Sequence, residues 1–457
     1  MAQLTQFLPF TPATILGWLT RFGAQHRLVP GWSGWRVTRA EARAKVGQRR
    51  GYRWGFSGWG SLGVETRLTD LDYPNSLTTE GTSRQGGQYR HHRVADATTD
   101  GSLLTDEVHL RLPGGLLTNT LAAPWVRRRL QRTLHWQQAR VKAELTHLAA
   151  YAHLPRLKIG VTGSSGAIGQ ELVPFLNAAG HEVWRLVRRQ PLPNTREILW
   201  DPLGDRVDTE KLADLDVVIH LAGENLGKAR WSTAFKQHLL ANRTLLSEHL
   251  AATLAGLKRG PKTLIVASAI GYYGDQPGAL LTETTPPGHN FASRLCQALE
   301  QATSPAADAG LRVVFARLGV VLQAQGTLLR QLHWPFWLGL GAKLGHGRQH
   351  FSWVAIDDVL YALHHIIHTP SLVGAVNVTS PLPVPQATFA DTLAGVYRRP
   401  RWGTLPRWLL RLQFGPMADD LLLADTAVVP DRLRQTGFSF TYPTLAQALA
   451  WTVGRPW

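Results

Sequence analysis

A single cysteine, Cys296, in 457 residues rules out a disulfide within the chain and suits a reducing cytoplasm. Nowhere do 18 apolar residues run together, and no basic segment precedes a long apolar core between Met1 and Phe10. That argues against a membrane span or secretory leader and predicts a cytoplasmic protein with no membrane partner. Acidic residues are few, 32 against 49 Lys and Arg, for a formal net charge of +17. The imbalance is greatest in residues 1–155, with 20 basic against 10 acidic residues, compared with 29 against 22 thereafter. Such a surplus can attract nucleic acid or anionic lipid. The basic residues are nevertheless interleaved with apolar ones, apart from Arg127-Arg128-Arg129, and no nucleic-acid signature accompanies them, so no nucleic-acid partner is expected. The 18 histidines lack carboxylate or cysteine neighbours at ligand spacing, which predicts no metal site. Internal repeats and low-complexity tracts are absent too, and the length predicts two or three domains.

The first third reads as extended. Gly60 to Leu71, Gln88 to Val94 and Leu103 to Leu112 have strand character, and Asp106, Val108, Leu110 and Leu112 alternate with Thr105, Glu107, His109 and Arg111. An early helix at about Pro12 to Gln25 precedes them, and a long amphipathic helix from about Pro124 to Ala150 follows, with Leu130, Leu134, Val141, Leu145 and Leu148 near one face. This order predicts an α+β helix-grip domain over residues 1–153. It resembles the polyketide-cyclase/START-like superfamily, which implies an apolar cavity between sheet and helix and hence an apolar ligand.

From Leu157 strands alternate with helices, as in a doubly wound parallel sheet of Rossmann type over residues 156–380, with a small, mostly helical module at 381–457. Strand candidates are Leu157 to Val161, His181 to Val187, Val217 to Leu221, Thr263 to Ser268, Val313 to Ala316 and Ala375 to Val378. The stretch Thr162-Gly163-Ser164-Ser165-Gly166-Ala167-Ile168-Gly169 follows the first strand and opens an amphipathic run, Leu172, Val173, Phe175 and Leu176, that stops at Gly180. Strand, glycine turn and helix start together hold a dinucleotide. Gly163 makes the tight turn, Gly166 lets backbone N–H groups approach a pyrophosphate, and Gly169 lets helix and strand pack, with the helix N-terminus facing the anion. At the end of the second strand, where an acidic residue would hold a ribose 2′-OH, stand Arg188 and Arg189. A guanidinium can fork a 2′-phosphate, so the cofactor predicted is NADP(H), the alternative being a solvated basic turn.

Further motifs fall in a fixed order: Leu221-Ala222-Gly223, then Ala267-Ser268-Ala269-Ile270-Gly271-Tyr272-Tyr273-Gly274-Asp275, Thr282-Glu283, Arg317-Leu318-Gly319, Gly345-His346-Gly347-Arg348-Gln349, Phe351-Ser352-Trp353 and Ile356-Asp357-Asp358. They resemble the atypical short-chain dehydrogenase/reductases grouped as NAD-dependent epimerase/dehydratase-like proteins. Met417-Ala418-Asp419, Val429-Pro430 and Gly437-Phe438 resemble that family's C-terminal module of unknown function. The resemblance covers about residues 157 to 450 and implies a cofactor contact at Leu221, Ala222 and Gly223 and a small-molecule substrate. Ser268 matches the family's substrate-orienting serine. Where the Tyr-x-x-x-Lys dyad of short-chain dehydrogenases should begin the next helix, the chain has Phe291-Ala292-Ser293-Arg294-Leu295-Cys296.

Replacement acid–base groups are Tyr272 and Tyr273, just beyond the fourth main strand, though tyrosines beside a glycine turn also simply pack. Lys236 and Arg243, seven apart on a helix, could meet an anionic substrate or form a solvated face, and Arg348 could fork a substrate carboxylate or phosphate or form a structural salt bridge. Asp357 and Asp358 suit helix capping. Two readings stay open. One is an NADP(H)-dependent oxidoreductase or epimerase-like enzyme using Ser268 and one of the tyrosines. The other, favoured by the missing dyad, is a non-catalytic NADP(H)-binding redox sensor or regulator of a protein partner.

Overall fold

Period-two alternation in the first third and unbroken Val/Ile/Leu runs after residue 157 give two kinds of sheet. The computed structural model describes residues 1–39, 44–56, 59–83, 86–204, 206–224 and 230–455. It divides into two compact units, Met1–Leu154 with Pro174–His181, and Pro155–Val173 with Glu182–Trp457.

In the first unit, β1 (Ala2–Leu8), β2 (Trp35–Arg39), β3 (Arg49–Phe56), β4 (Trp59–Asp72), β5 (Ser76–Ser83), β6 (Gln88–Thr98) and β7 (Gly101–Arg111) form one antiparallel sheet in the order β1-β7-β6-β5-β4-β3-β2. The early helix is two pieces, α1 (Pro12–Leu19) and α2 (Ala24–Arg27), because the positive φ of Gly23 breaks it. The long helix α3 spans Gly115–Ala149 and so begins nine residues before the Pro124 predicted to open it. A proline suits a first turn, but here it sits inside the helix. The true start is tied down by Asn119, whose side chain accepts from Leu112 N at 2.8 Å and donates to Leu112 O at 3.0 Å.

The α3 face expected to be apolar buries Leu134, Val141 and Leu145, but Gln138 and Glu144 lie on it fully buried. Glu144 accepts from Arg27 Nε at 2.6 Å. Asp106 Oδ1 accepts from His91 Nε2 at 2.6 Å and from Arg93 Nε, while its Oδ2 accepts from Gln138 Nε2 at 2.8 Å. Against the opposing effect of burial, the Arg93 guanidinium and then the His91 N–H hold the Asp106 carboxyl far below the usual range, whereas burial lowers His91 and keeps it neutral. A charged, hydrogen-bonded network therefore lies inside this unit beside the apolar cluster of Leu8, Trp18, Leu104, Val141 and Leu145. The alternation in β7 was legible, but which inward positions would be polar was not.

In the second unit, β8 (Lys158–Thr162), β9 (Glu182–Val187), β10 (Glu197–Asp201), β11 (Arg206–Val207), β12 (Val217–His220), β13 (Thr263–Ala269) and the strands Arg312–Leu318 and Gly374–Val378 make a sheet in the order β11-β10-β9-β8-β12-β13-312-374. All pairings are parallel except β10 with β11, an edge pair absent from the sequence expectation. Helices α4 (Gly169–Ala179), whose residues from Pro174 on group with the first unit, α5 (Thr209–Ala213), α6 (Thr233–Ala255) and α7 (Phe291–Gln301) make crossovers. Ser232 caps α6 by accepting from Phe235 N, and Asn290 caps α7 by accepting from Ser293 N. The chain leaves β8 in one direction for β9 and β10 and returns on the other side at β12. The order thus reverses between β8 and β12, where open α/β sheets bind ligands beyond the strands' carboxyl ends.

Asp357 and Asp358 do not cap the helix Ile356–His368 as expected. Both are buried, Asp357 accepting from Trp451 Nε1 at 2.7 Å and Asp358 from Thr441 N and Tyr442 N at 2.8 and 3.1 Å. They anchor the C-terminal segment, and burial raises the Asp358 carboxyl to about 7. Replacing Asp106 with Ala leaves the Arg93 charge buried and unpaired. We expect a loss of about 3–5 kcal/mol in the first unit's unfolding free energy, read as an earlier urea transition of the full chain by circular dichroism.

Candidate functional site

The turn after β8 packs tightly against the end of β12. Gly163 has φ +64°, and a Cβ there would lie 2.6 Å from the Leu221 carbonyl and 2.7 Å from Ala222 N. A Cβ on Gly169 would lie 2.4 Å from Gly163 O. Both positions therefore demand glycine. Gly166 is less crowded, its added Cβ meeting only Gly163 O at 3.1 Å, and Ser164, Ala167 and Ile168 complete the turn at the head of α4. This geometry can present backbone N–H groups and the positive end of α4 to a pyrophosphate.

Thr162 was expected among the cofactor contacts, but its fully buried side chain points into the sheet. Its Oγ1 accepts from Leu221 N and Ala222 N, both at 3.1 Å, and lies 2.8 Å from His220 Nδ1. With both lone pairs engaged, the hydroxyl hydrogen goes to Nδ1 and leaves the imidazole proton on Nε2, 3.4 Å from Ser247 Oγ. Burial, followed by the Arg243 charge, lowers His220 to about 4, which keeps it neutral. Thr162 and His220 thus clamp the glycine turn to the Leu221-Ala222-Gly223 segment. Arg243 lies beneath that segment: a Cβ on Gly223 would be 3.4 Å from its Nε, and its Nη2 donates to Glu224 O at 2.9 Å.

The paired arginines after β9 part company. Arg189 donates to Glu197 Oε1 at 2.7 Å and to Gln190 O at 2.8 Å. Buried Glu197 also takes Arg185 at 2.7 Å and Leu192 N at 3.0 Å. Arg188 is exposed, and its side chain has no hydrogen-bond or ion-pair partner among the described residues.

At the end of β13, Ser268, Tyr272 and Tyr273 come together around Arg317. Arg317 Nε and Nη2 form a two-point pair with Glu300 Oε1 and Oε2 at 2.9 and 2.8 Å, and Nη1 donates to Tyr273 Oη at 3.1 Å. The Glu300 carboxylate outweighs burial and drives the Arg317 pKa up, so its charge is permanent. Tyr273 is fully buried and donates to Asn377 Oδ1 at 2.7 Å, and burial pushes its phenol up. Hence Tyr273 is a structural group rather than a proton donor. Ser268 needs the same correction, because its hydroxyl donates to Glu300 Oε1 at 2.7 Å and cannot donate to a substrate oxygen while that bond holds. Tyr272 is only partly buried. Its ring lies flat against Arg317, 3.4 Å from Cζ to centroid, and its backbone is pinned by Gly288 N and Ser293 Oγ. The Tyr272 hydroxyl has no hydrogen-bond partner among the described residues.

The slot of the missing dyad is apolar, since Phe291 and Leu295 are buried with Trp231 and Met417. Lys236 places its ammonium 5.0 Å from the Phe291 ring centroid and 5.6 Å from that of Trp231. Asp420 faces the same helix head, where burial raises its carboxyl against the opposing pull of Lys236 and the Phe291 and Ala292 N–H groups. Cys296 donates to Ala269 O at 3.6 Å, and burial pushes its thiol up to about 11, which leaves no nucleophile there. Arg348 is exposed on the Gly345–Gly347 turn, with φ +57° and +74° at the two glycines, and its guanidinium has no partner among the described residues. Sequence reading missed Glu300, Asp420 and the part played by Arg317. The arginine was visible inside a motif, whereas nothing marks a carboxylate in the last turn of α7 as the partner that fixes it.

The model of the NAD dependent epimerase/dehydratase family matches residues 159–378, and that of a domain of unknown function matches residues 405–452. An epimerase family protein of Mycobacterium bovis is 42% identical over 298 residues, 65% of this chain and 98% of that protein. Among solved structures, a nucleoside-diphosphate sugar epimerase from Corynebacterium glutamicum matches 99% of this chain and 90% of its own at a TM-score of 0.81 and 28% identity. The human epimerase family protein SDR39U1, solved with NADPH, is 30% identical, with a TM-score of 0.59 over 65% of this chain and 99% of its own.

The neutral, buried His220 sets the sign of a pH effect. It titrates near 6.5 when unfolded and about 4 when folded, so the unfolded chain holds the extra proton between those values. The contribution of His220 to stability is constant above 6.5 and falls by up to about 1.4 kcal/mol per pH unit from there toward 4. The urea midpoint at about pH 5, relative to that at about pH 7.5, is expected to be higher in His220→Asn than in the native sequence, since the buried Asp358 acts alike in both.

Proposed function

From the premise that the chain belongs to the NAD dependent epimerase/dehydratase family, we propose that it is an NADP(H)-dependent oxidoreductase or epimerase acting on a small molecule. The observation that carries the reading is Tyr272, a phenol at the carboxyl edge of the sheet with an unengaged hydroxyl and a ring fixed by Arg317. The turn from Gly163 to Gly169 and the segment Leu221, Ala222 and Gly223 would hold the dinucleotide, and Arg188 would stand by its adenine ribose. The exposed guanidinium of Arg188, which interacts electrostatically with Asp201, would take the 2′-phosphate, while Arg189 shapes the turn through Glu197. NADPH bound to the 30% identical human protein supports the phosphorylated cofactor.

The cofactor supplies the hydride acceptor or donor. This chain's residues hold the substrate oxygen against Tyr272, which gives or takes the proton. Glu300 holds Arg317 under the ring, and Ser268 and Tyr273 brace that pair from either side, so all three are positioning residues. Arg348 supplies a fork for an anionic substrate group such as the diphosphate of a nucleotide sugar, the substrate class named for the Corynebacterium glutamicum protein. Lys236 lies at the edge of the same region, over Phe291. We assign residues 1–153 to a helix-grip, START-like domain, 156–380 to the cofactor domain and 381–457 to its C-terminal module. Retention of the charged interior makes a polar ligand the better fit for the first domain. A sensor remains the second reading, supported by the apolar residues in the dyad's slot.

Arg188→Ala is expected to weaken NADPH binding about tenfold and leave NADH binding unchanged, by fluorescence titration. Tyr272→Phe should cut NADPH oxidation with carbonyl substrates, nucleotide keto-sugars included, by about a hundredfold or more at unchanged NADPH affinity. Equal turnover in Tyr272→Phe would overturn the assignment of the proton donor, and tight NADPH binding without turnover on any substrate would favour the sensor.

A further inference from the structure

The C-terminal half of the second unit leaves large apolar side chains in water where its own packing needs none of them. The helix Arg407–Phe414 already buries Leu410, yet Trp408 and Leu412, four apart on the opposite face, are 67% and 63% exposed. Nearby, the strand Gly341–Leu344 pairs with Arg401–Leu405, and Gly341 opposite Arg401 sets Leu340 and Trp402 on either side of one rung. Leu340 is 69% and Trp402 is 70% exposed. The helix Thr327–Trp337 runs into that strand and ends in exposed Trp334 and Trp337, whose rings meet edge to face at 5.5 Å. Arg399 joins the two segments, donating to Trp337 O at 3.0 Å with its guanidinium 5.8 Å from the Trp337 ring. Single exposed leucines or tryptophans are ordinary, but exposed Trp334, Trp337, Leu340 and Trp402 stand on linked elements, with Trp408 and Leu412 on the helix that follows Leu405 in the chain, and such a grouping marks a place where something docks.

The charge around this surface has one sign. Residues 327–340 and 392–415 contain six arginines, at positions 330, 398, 399, 401, 407 and 411, and no Asp or Glu. Arg407 and Arg411 share a single counter-ion, Asp419, and Arg401 pairs with Asp391, which leaves the surface positive. A second copy of the chain, docked face to face about a two-fold axis, would set arginine against arginine. An anionic lipid surface satisfies both features, because tryptophan and leucine settle at the headgroup–acyl boundary and arginine reaches phosphate. We propose that this tryptophan and arginine face docks the protein peripherally on anionic membranes. The arginine surplus of this face itself steers the approach, and since no helix among the described residues is long and apolar enough to cross a bilayer, the contact is interfacial.

Sedimentation of the full chain with vesicles of phosphatidylcholine alone, or of phosphatidylcholine and phosphatidylglycerol in equal parts, tests this directly. The protein should pellet with the anionic vesicles and be released by salt, with little binding to neutral ones. The double variant Trp402→Ser/Trp408→Ser should lose at least about tenfold in partitioning, while an unchanged circular dichroism spectrum and urea transition show that it is folded. No binding to anionic vesicles, equal binding to both compositions, or undiminished binding by the variant would overturn the proposal. So would a dimer in sedimentation velocity that this variant dissociates, which would make a second copy the occupant.

Discussion

Gly163 sits where a methyl group would overlap the backbone of Leu221 and Ala222, and the binding end of the second unit depends on that contact. It brings the carboxyl ends of β8 and β12 together at the point where strand order reverses. The contact is then locked by one hydroxyl, Thr162 Oγ1, which satisfies two N–H groups that a cofactor would otherwise have to share. A neutral imidazole, buried beside it, completes the clamp. The turn is therefore preorganised by the protein's own hydrogen bonds, and its remaining N–H groups stay open to an anion.

The second constraint is the charge pair at the end of β13. Bringing Arg317 and Glu300 out of water is costly unless the geometry is good and every remaining donor is used. Here the guanidinium meets both carboxylate oxygens, a tyrosine hydroxyl and an aromatic face, while Ser268 takes a further lone pair of Glu300. The serine and one tyrosine that a short-chain dehydrogenase reading would place on substrate are consumed in making this pair tenable. What the pair leaves outside is the other tyrosine, Tyr272. The C-terminal segment is tied back to the same unit by Asp357 and Asp358, two carboxylates buried deeply enough that Asp358 is pushed up to about 7.

Much of this was legible in the residues. Strand, glycine turn and helix start at Leu157 to Gly180 located the crevice, and six of the parallel strands followed from their apolar runs. Local pattern failed where long-range pairing decides. The edge strands β10 and β11 carry no strong alternation, and Pro124 looked like a helix start because nothing local reveals that Asn119 secures an earlier one. Side-chain roles were least legible. Whether Ser268 or Tyr273 faces substrate or a buried arginine depends on partners 32 and 104 residues away. Likewise, Arg188 and Arg189 look equivalent in sequence, and only the position of Glu197 distinguishes the free one from the bound one.

The account stands on a phosphorylated dinucleotide held by the clamped turn. Isothermal titration of the native full chain with NADPH and then, separately, with NADH tests that claim most directly. The account predicts saturable binding at one site per chain, with NADPH at least about tenfold the tighter of the two. Absence of a binding heat for either cofactor across several temperatures, or a preference for NADH, would contradict it.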